Sequence, residues 1–179
     1  MYRPTFAFDA IGRDDAVARR IGMRIMAEAV TFLARADVVY FEELGLGQFP
    51  PLYSKEAGIR YGDDKPEPGT SCGDDDWRDV AVLYNKRVGD CEELAAARLA
   101  ELWYRGWRGR VIRAVPAVLL QREAPVRRGT GGTHLFHIMV RWPEDLSSYP
   151  STVRRRYGMM LECPSEVLGM RPARNLEAA

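Results

Sequence analysis

The segment Gly89-Asp90-Cys91-Glu92-Glu93-Leu94 constrains this chain more than any other. A turn-forming Gly-Asp pair delivers a cysteine to the first turn of an amphipathic helix. Leu94, Ala95, Leu99, Leu102 and Trp103 share one face of that helix, while Glu92, Arg98, Glu101 and Arg105 fall mostly elsewhere. Gly106 is a natural terminator. The first backbone N–H groups of a helix have no intrahelical partner and carry the positive end of its dipole, so a thiolate placed there is stabilised. Glu92 and Glu93 suit the helix terminus but would raise the thiol's pKa if they faced it. Packing is the default role of a free cysteine. Position is what sets Cys91 apart.

Two downstream segments supply partners. Residues 133–142 read as a strand in which His137, Met139 and Arg141 point one way and Phe136, Ile138 and Val140 the other. Residues 157–163 read as the next strand, with Glu162 closing the run Met159-Met160-Leu161. Cys91, His137 and Glu162, in that order, are the parts of a nucleophile, a general base and an orienting carboxylate. Glu162 would accept the second ring N–H of His137, with Glu166 and Asp145 as substitutes. His134 reads as a solvent-facing or hydrogen-bonded imidazole. For an oxyanion hole the Cys91 backbone N–H is the first donor. Asn85 or the side chain of Trp77 or Tyr84 would be the second, with Trp77 and Tyr84 also lining a substrate cleft; Asn85 reads equally as a helix C-cap.

The remaining organisation follows from periodicity and breakers. From about Asp14 the chain reads as a helix, its start suited by Asp14 and Asp15, with Val17, Ile21, Ile25, Ala29 and Phe32 at helical spacing. Val38-Val39-Tyr40-Phe41 either extends that helix or forms a short strand. Residues 50–76 are rich in Pro and Gly and read as a linker or as the wall of a cleft. A short helix is expected over residues 77–85, capped by Asp74, Asp75 or Asp76. A strand is expected over residues 110–120, where Pro116 argues for an edge or a bulge. One helix followed by consecutive strands is α+β, a nucleophile-bearing helix packed on an antiparallel sheet. The chain divides into an N-terminal helix with its irregular lead-in, residues 1–70, and a core, residues 71–179, within one compact unit.

Composition narrows the function classes. At 179 residues the chain can bury a sizeable core, and a net charge of +1 gives no electrostatic case for nucleic acid or an anionic membrane. No secretory signal or membrane-spanning stretch is evident. Three cysteines and two histidines without ligand spacing point to a reduced, cytoplasmic protein holding no metal and no cofactor.

Together these segments resemble the transglutaminase-like superfamily, with its papain-related core. The residues that carry the resemblance are Gly89-Asp90-Cys91-Glu92-Glu93-Leu94-Ala95-Ala96, then His137-Ile138-Met139-Val140-Arg141-Trp142, then Glu162-Cys163-Pro164-Ser165, over about residues 77–170. Pro51-Leu52-Tyr53 and Gly58-Ile59-Arg60-Tyr61 look like the lead-in of small stand-alone members, some of which occur in phage-like gene sets. The resemblance implies Cys91 as nucleophile, His137 as base and later acid, and Glu162 as orienting acid. Two departures stand out. Glu162 takes a place usually held by Asp, and residues 144–156 form an insert before the last strand. The implied activity is attack on an amide or isopeptide bond of a protein or peptide through a thioacyl intermediate, with hydrolysis favoured over transamidation. The alternative is a catalytically weak binding or structural component of a phage-like particle, which would then be virion-associated.

Overall fold

The computed structural model of the chain describes residues 16–62, 77–122, 134–169 and 176–178. Helix α1 (Ala16–Leu44) takes in Val38 to Phe41 without a break, which decides the helix-or-strand ambiguity in favour of helix. Of the expected stripe only Ala29 is buried. Met23, Met26, Val30, Leu33, Ala34 and Phe41 are buried, whereas Val17, Ile21, Ile25 and Phe32 face outward. Both stripes have helical spacing, so periodicity alone could not choose between them.

Two helices follow. Helix α2 (Val80–Lys86) begins later than the expected residue 77, because the side chain that caps it is Asp79, which accepts the Val82 N–H. Asp74, Asp75 and Asp76 lie outside the described residues. Buried Asp37, on α1, accepts the Val80 N–H at 2.7 Å and ties the start of α2 to α1. Burial, partly offset by that hydrogen bond, pushes the Asp37 carboxyl up. Helix α3 (Cys91–Tyr104) carries the sequence motif. It is buried on nearly every side rather than on one face, with Arg98 and Glu101 among its buried residues. After it Gly106 adopts φ +78°, and a Cβ there would lie 2.3 Å from the Arg110 carbonyl oxygen, so the turn requires glycine.

A two-stranded parallel pair, β1 (Arg60–Tyr61) with β2 (Val88–Gly89), joins the lead-in to the start of α3. The main sheet has five strands, β3 (Val115–Arg122), β4 (His134–Trp142), β5 (Val153–Arg156), β6 (Met159–Glu162) and β7 (Leu176–Ala178), in the order β5-β6-β4-β3-β7 and antiparallel throughout. The fold is thus α+β with an antiparallel sheet. Pro116 lies on β3 outside residues 119–121, the part of the strand that pairs with β7 among the described residues. Its missing N–H therefore breaks no ladder bond to β7. Part of the 144–156 insert becomes β5, paired with β6 through a tight turn in which Tyr157 and Gly158 both take positive φ.

Strand alternation gives the sheet two apolar faces. Val118, Ile138, Val140, Trp142 and Val153 pack with α1 and α3 in one buried cluster that includes Cys91, Ala95 and Leu99. Ala117, Leu119, Met139, Leu161 and Cys163 form a smaller cluster on the other face. Residues from both halves of the chain, Met23, Met26 and Leu33 as well as Leu99 and Leu102, share the larger cluster. A third cluster joins Phe41, Phe49, Leu52 and Ile59 to Leu83 and Leu94.

Candidate active site

The Gly-Asp-Cys start of α3 is a built structure. Gly89 has no room for a Cβ, which would fall 2.5 Å from Leu83 Cδ1 and 3.0 Å from Glu93 Oε2. Asp90 is the N-cap and accepts the Glu92 N–H at 3.2 Å, while Glu93 reaches back to the Asp90 N–H to complete a capping box. Glu93 also accepts the Arg78 N–H at 3.1 Å. The cap fixes Cys91 as the first residue of the helix, as its sequence position requires.

The thiol there is not activated at rest. Cys91 is only 6% exposed, and its Sγ lies 3.1 Å from Glu92 Oε2. Burial, then the charges of Glu92 and Asp90, push the Cys91 thiol well above its ordinary value, and the Ile138 backbone N–H opposes them only in part. Burial, and then the charge of Asp90, push the Glu92 carboxyl up as well. The Ile138 contact locates the thiol in the fold. Cys91 meets β4 at the residue directly after His137.

His137 turns its side chain to the face opposite Ile138, as alternation requires. Its Nε2 lies 3.2 Å from Cys163 Sγ, and that sulfur lies 3.1 Å from Ser165 Oγ. Burial lowers the imidazole pKa against the opposing pull of Glu166, and burial also raises the Cys163 thiol. Both shifts favour the uncharged forms of the imidazole and thiol that face one another. Cys163 immediately precedes the short helix α4 (Pro164–Val167). No hydrogen bond between Cys91 and His137 is formed among the described residues.

Glu162 is not beside His137, contrary to the sequence reading. It pairs in register with Val140 and so points to the α3 face. There it is wholly buried, accepting Arg98 Nε at 2.9 Å, Arg98 Nη2 at 3.4 Å, Trp142 Nε1 at 3.2 Å and the Thr152 hydroxyl. Arg98 also bonds Glu101 at 2.6 Å, and its guanidinium lies over the rings of Tyr53 and Trp142. Burial disfavours the Arg98 charge, but Glu162 and Glu101 outweigh it and hold the pKa up. The error was one residue of strand register. Cys163, the next residue, turns to the His137 face.

The secondary expectations divide. Asn85 is exposed on α2, and the C-cap of that helix is Arg87, in the left-handed region at φ 57°. Tyr84 belongs to the Phe41 cluster and its hydroxyl donates to the Pro50 carbonyl, which takes it out of the cleft role. Trp77 packs against the cluster that contains Cys91. Of the substitute carboxylates, Glu166 pairs with Arg156 and acts electrostatically on His137, while Asp145 sits in an exposed turn. His134 begins β4. Among the described residues no cluster of His, Cys, Asp or Glu could hold a metal ion, and no helix is long and apolar enough to cross a membrane. Comparison with protein-family models, with curated proteins and with solved structures gave no match.

Proposed function

We propose that the protein is a transglutaminase-like cysteine enzyme that acts on an amide or isopeptide bond of a protein or peptide, with Cys91 as nucleophile and His137 as its base. The observation that supports this reading is the contact of Cys91, at a capped helix N-terminus, with the Ile138 backbone N–H of β4, the residue after His137 along the strand. The His137 imidazole itself faces Cys163. The place that the resemblance gives to an orienting acid falls on Cys163, one residue past Glu162.

In the proposed reaction the Cys91 proton passes to His137 and Sγ bonds to the substrate carbonyl carbon. The C–N bond then breaks as the imidazolium protonates the leaving amine, and water hydrolyses the thioacyl enzyme. Three features of the resting site work against this step: the Glu92–Cys91 hydrogen bond, a thiol as the imidazole's partner, and the turn of the His137 ring to the face opposite Ile138, away from the cluster that holds Cys91. Substrate binding has to displace Glu92 and bring the ring to Cys91. A thiol partner orients imidazole without stabilising imidazolium by charge, so a modest rate is expected.

The buried, Glu92-shielded thiol also favours a second reading, a transglutaminase-fold binding component with little catalysis. One experiment separates them. The protein is incubated with a library of peptide anilides at pH 8 to 9 and examined by intact mass and by amine release. A thioacyl adduct on Cys91, absent from Cys91→Ala and His137→Ala, supports the enzyme. No adduct, no amine release and a Cys91 that iodoacetamide reaches only after denaturation would leave the binding component.

A further inference from the structure

The outward stripe of α1 is an apolar surface that the thiol site does not use. Ile21, Ile25, Phe32 and Val39 are 47, 39, 52 and 53% exposed. Their spacing of four, seven and seven residues lines them along one side of the helix for about 27 Å, at 1.5 Å per residue. Single exposed apolar residues are ordinary, but an aligned row is a contact surface. A seven-residue repeat is the pattern of a helix that packs lengthwise against another helix.

We propose that this surface binds a second copy of the same chain, the two α1 helices lying antiparallel about a two-fold axis beside Phe32. The charges along the helix choose this occupant and this direction. With Phe32 against its own copy, Ile25 meets Val39 of the second copy. Glu28 comes level with Arg35, and Arg20 with Glu43, each within about one residue's rise of 1.5 Å. Every such pairing occurs twice by symmetry. A parallel pair would instead set Glu28 beside Glu28 and Arg35 beside Arg35.

The C-terminal end of α1 agrees with the same arrangement. It has no basic residue in its last turn, and Glu42 and Glu43 stand near its negative end. That distribution opposes the helix's own dipole. An antiparallel copy brings arginines to the glutamates and aligns the two dipoles favourably. The surface lies on α1 and includes none of Cys91, His137 and Cys163, so it stands or falls independently of the enzyme reading.

The test is sedimentation velocity of the full chain over about 1 to 200 µM, a range that brackets contacts of micromolar strength. A concentration-dependent dimer is expected. Phe32→Asp, which alters only an exposed side chain, should leave the circular dichroism unchanged and give monomer. Glu28→Arg and Arg35→Glu should each weaken the dimer about tenfold, and the double variant should restore it, because each swapped residue meets its swapped partner. A monomer at every concentration overturns the proposal, as does a dimer indifferent to Phe32→Asp. Failure of the double variant to recover the dimer overturns the antiparallel register.

Discussion

Replacing Glu162 by Ala tests whether this residue is a structural anchor or the orienting acid of a triad. Its carboxylate accepts from Arg98 twice, from Trp142 and from Thr152, with no exposure to solvent. Removal leaves Arg98 buried with Glu101 alone. Breaking a buried ion pair from one side costs about 3–5 kcal/mol, a large part of the 5–15 kcal/mol typical of a domain. With a urea m-value of about 2 kcal/mol per molar, a loss of about 4 kcal/mol lowers the denaturation midpoint by about 2 M. Replacing both Arg98 and Glu162 with Met should recover much of this loss, since no unpaired charge then remains. Equilibrium urea denaturation followed by circular dichroism reads both variants. A Glu162→Ala midpoint within about 0.3 M of wild type, together with loss of Cys91 reactivity, would refute the reasoning and return Glu162 to the triad.

Other perturbations carry their own signs. Glu92→Gln removes the second-largest influence holding the Cys91 thiol up, so iodoacetamide should alkylate Cys91 faster at pH 8, read by peptide mapping. Glu93 is pushed up to about 7 from 4.5, by burial first and then by Asp90. The unfolded chain releases this proton first, so the contribution to stability falls as pH rises from about 4.5 to 7, by roughly 3 kcal/mol. Glu93→Gln should flatten the urea midpoint across that window, and an unchanged slope would contradict the assignment. Gly106→Ala forces a Cβ against the Arg110 carbonyl and requires a positive φ, so a loss of at least about 1 kcal/mol is expected by thermal denaturation.

Local chemistry carried much of the fold into the sequence. The Gly-Asp-Cys-Glu-Glu start of α3, the strand around His137 and the strand ending near Glu162 were legible because capping, alternation and turn signals act over a few residues. The buried face of α1 was not, because Met23, Met26, Val30 and Leu33 compete with an equally periodic stripe and only the packing of α3 and the sheet selects between them. The sequence sets Arg98 and Glu101 off the apolar face of α3 without showing them buried, because their ion-pair network depends on Glu162, more than sixty residues away.

The candidate site divides in the same way. Cys91 and His137 could be named from position, and the pKa-raising contact of Glu92 was foreseeable from its adjacency. The partner of His137 hinged on whether β6 presents Glu162 or Cys163 to that face, a matter of strand register that alternation within one strand cannot fix. The odd cysteine was the available signal. Cys163 sits in the Glu-Cys-Pro-Ser run quoted for the resemblance, yet a thiol is not the residue type sought for an orienting acid.

The most direct measurement is the NMR titration of His137 in wild type, Cys163→Asp and Glu162→Gln. Wild-type His137 should titrate below the ordinary imidazole value of about 6.5, because burial disfavours its charged form. Cys163→Asp should raise that pKa by placing a carboxylate against Nε2, and Glu162→Gln should leave it unmoved. A His137 pKa that falls in Glu162→Gln and ignores Cys163→Asp would contradict the site described here.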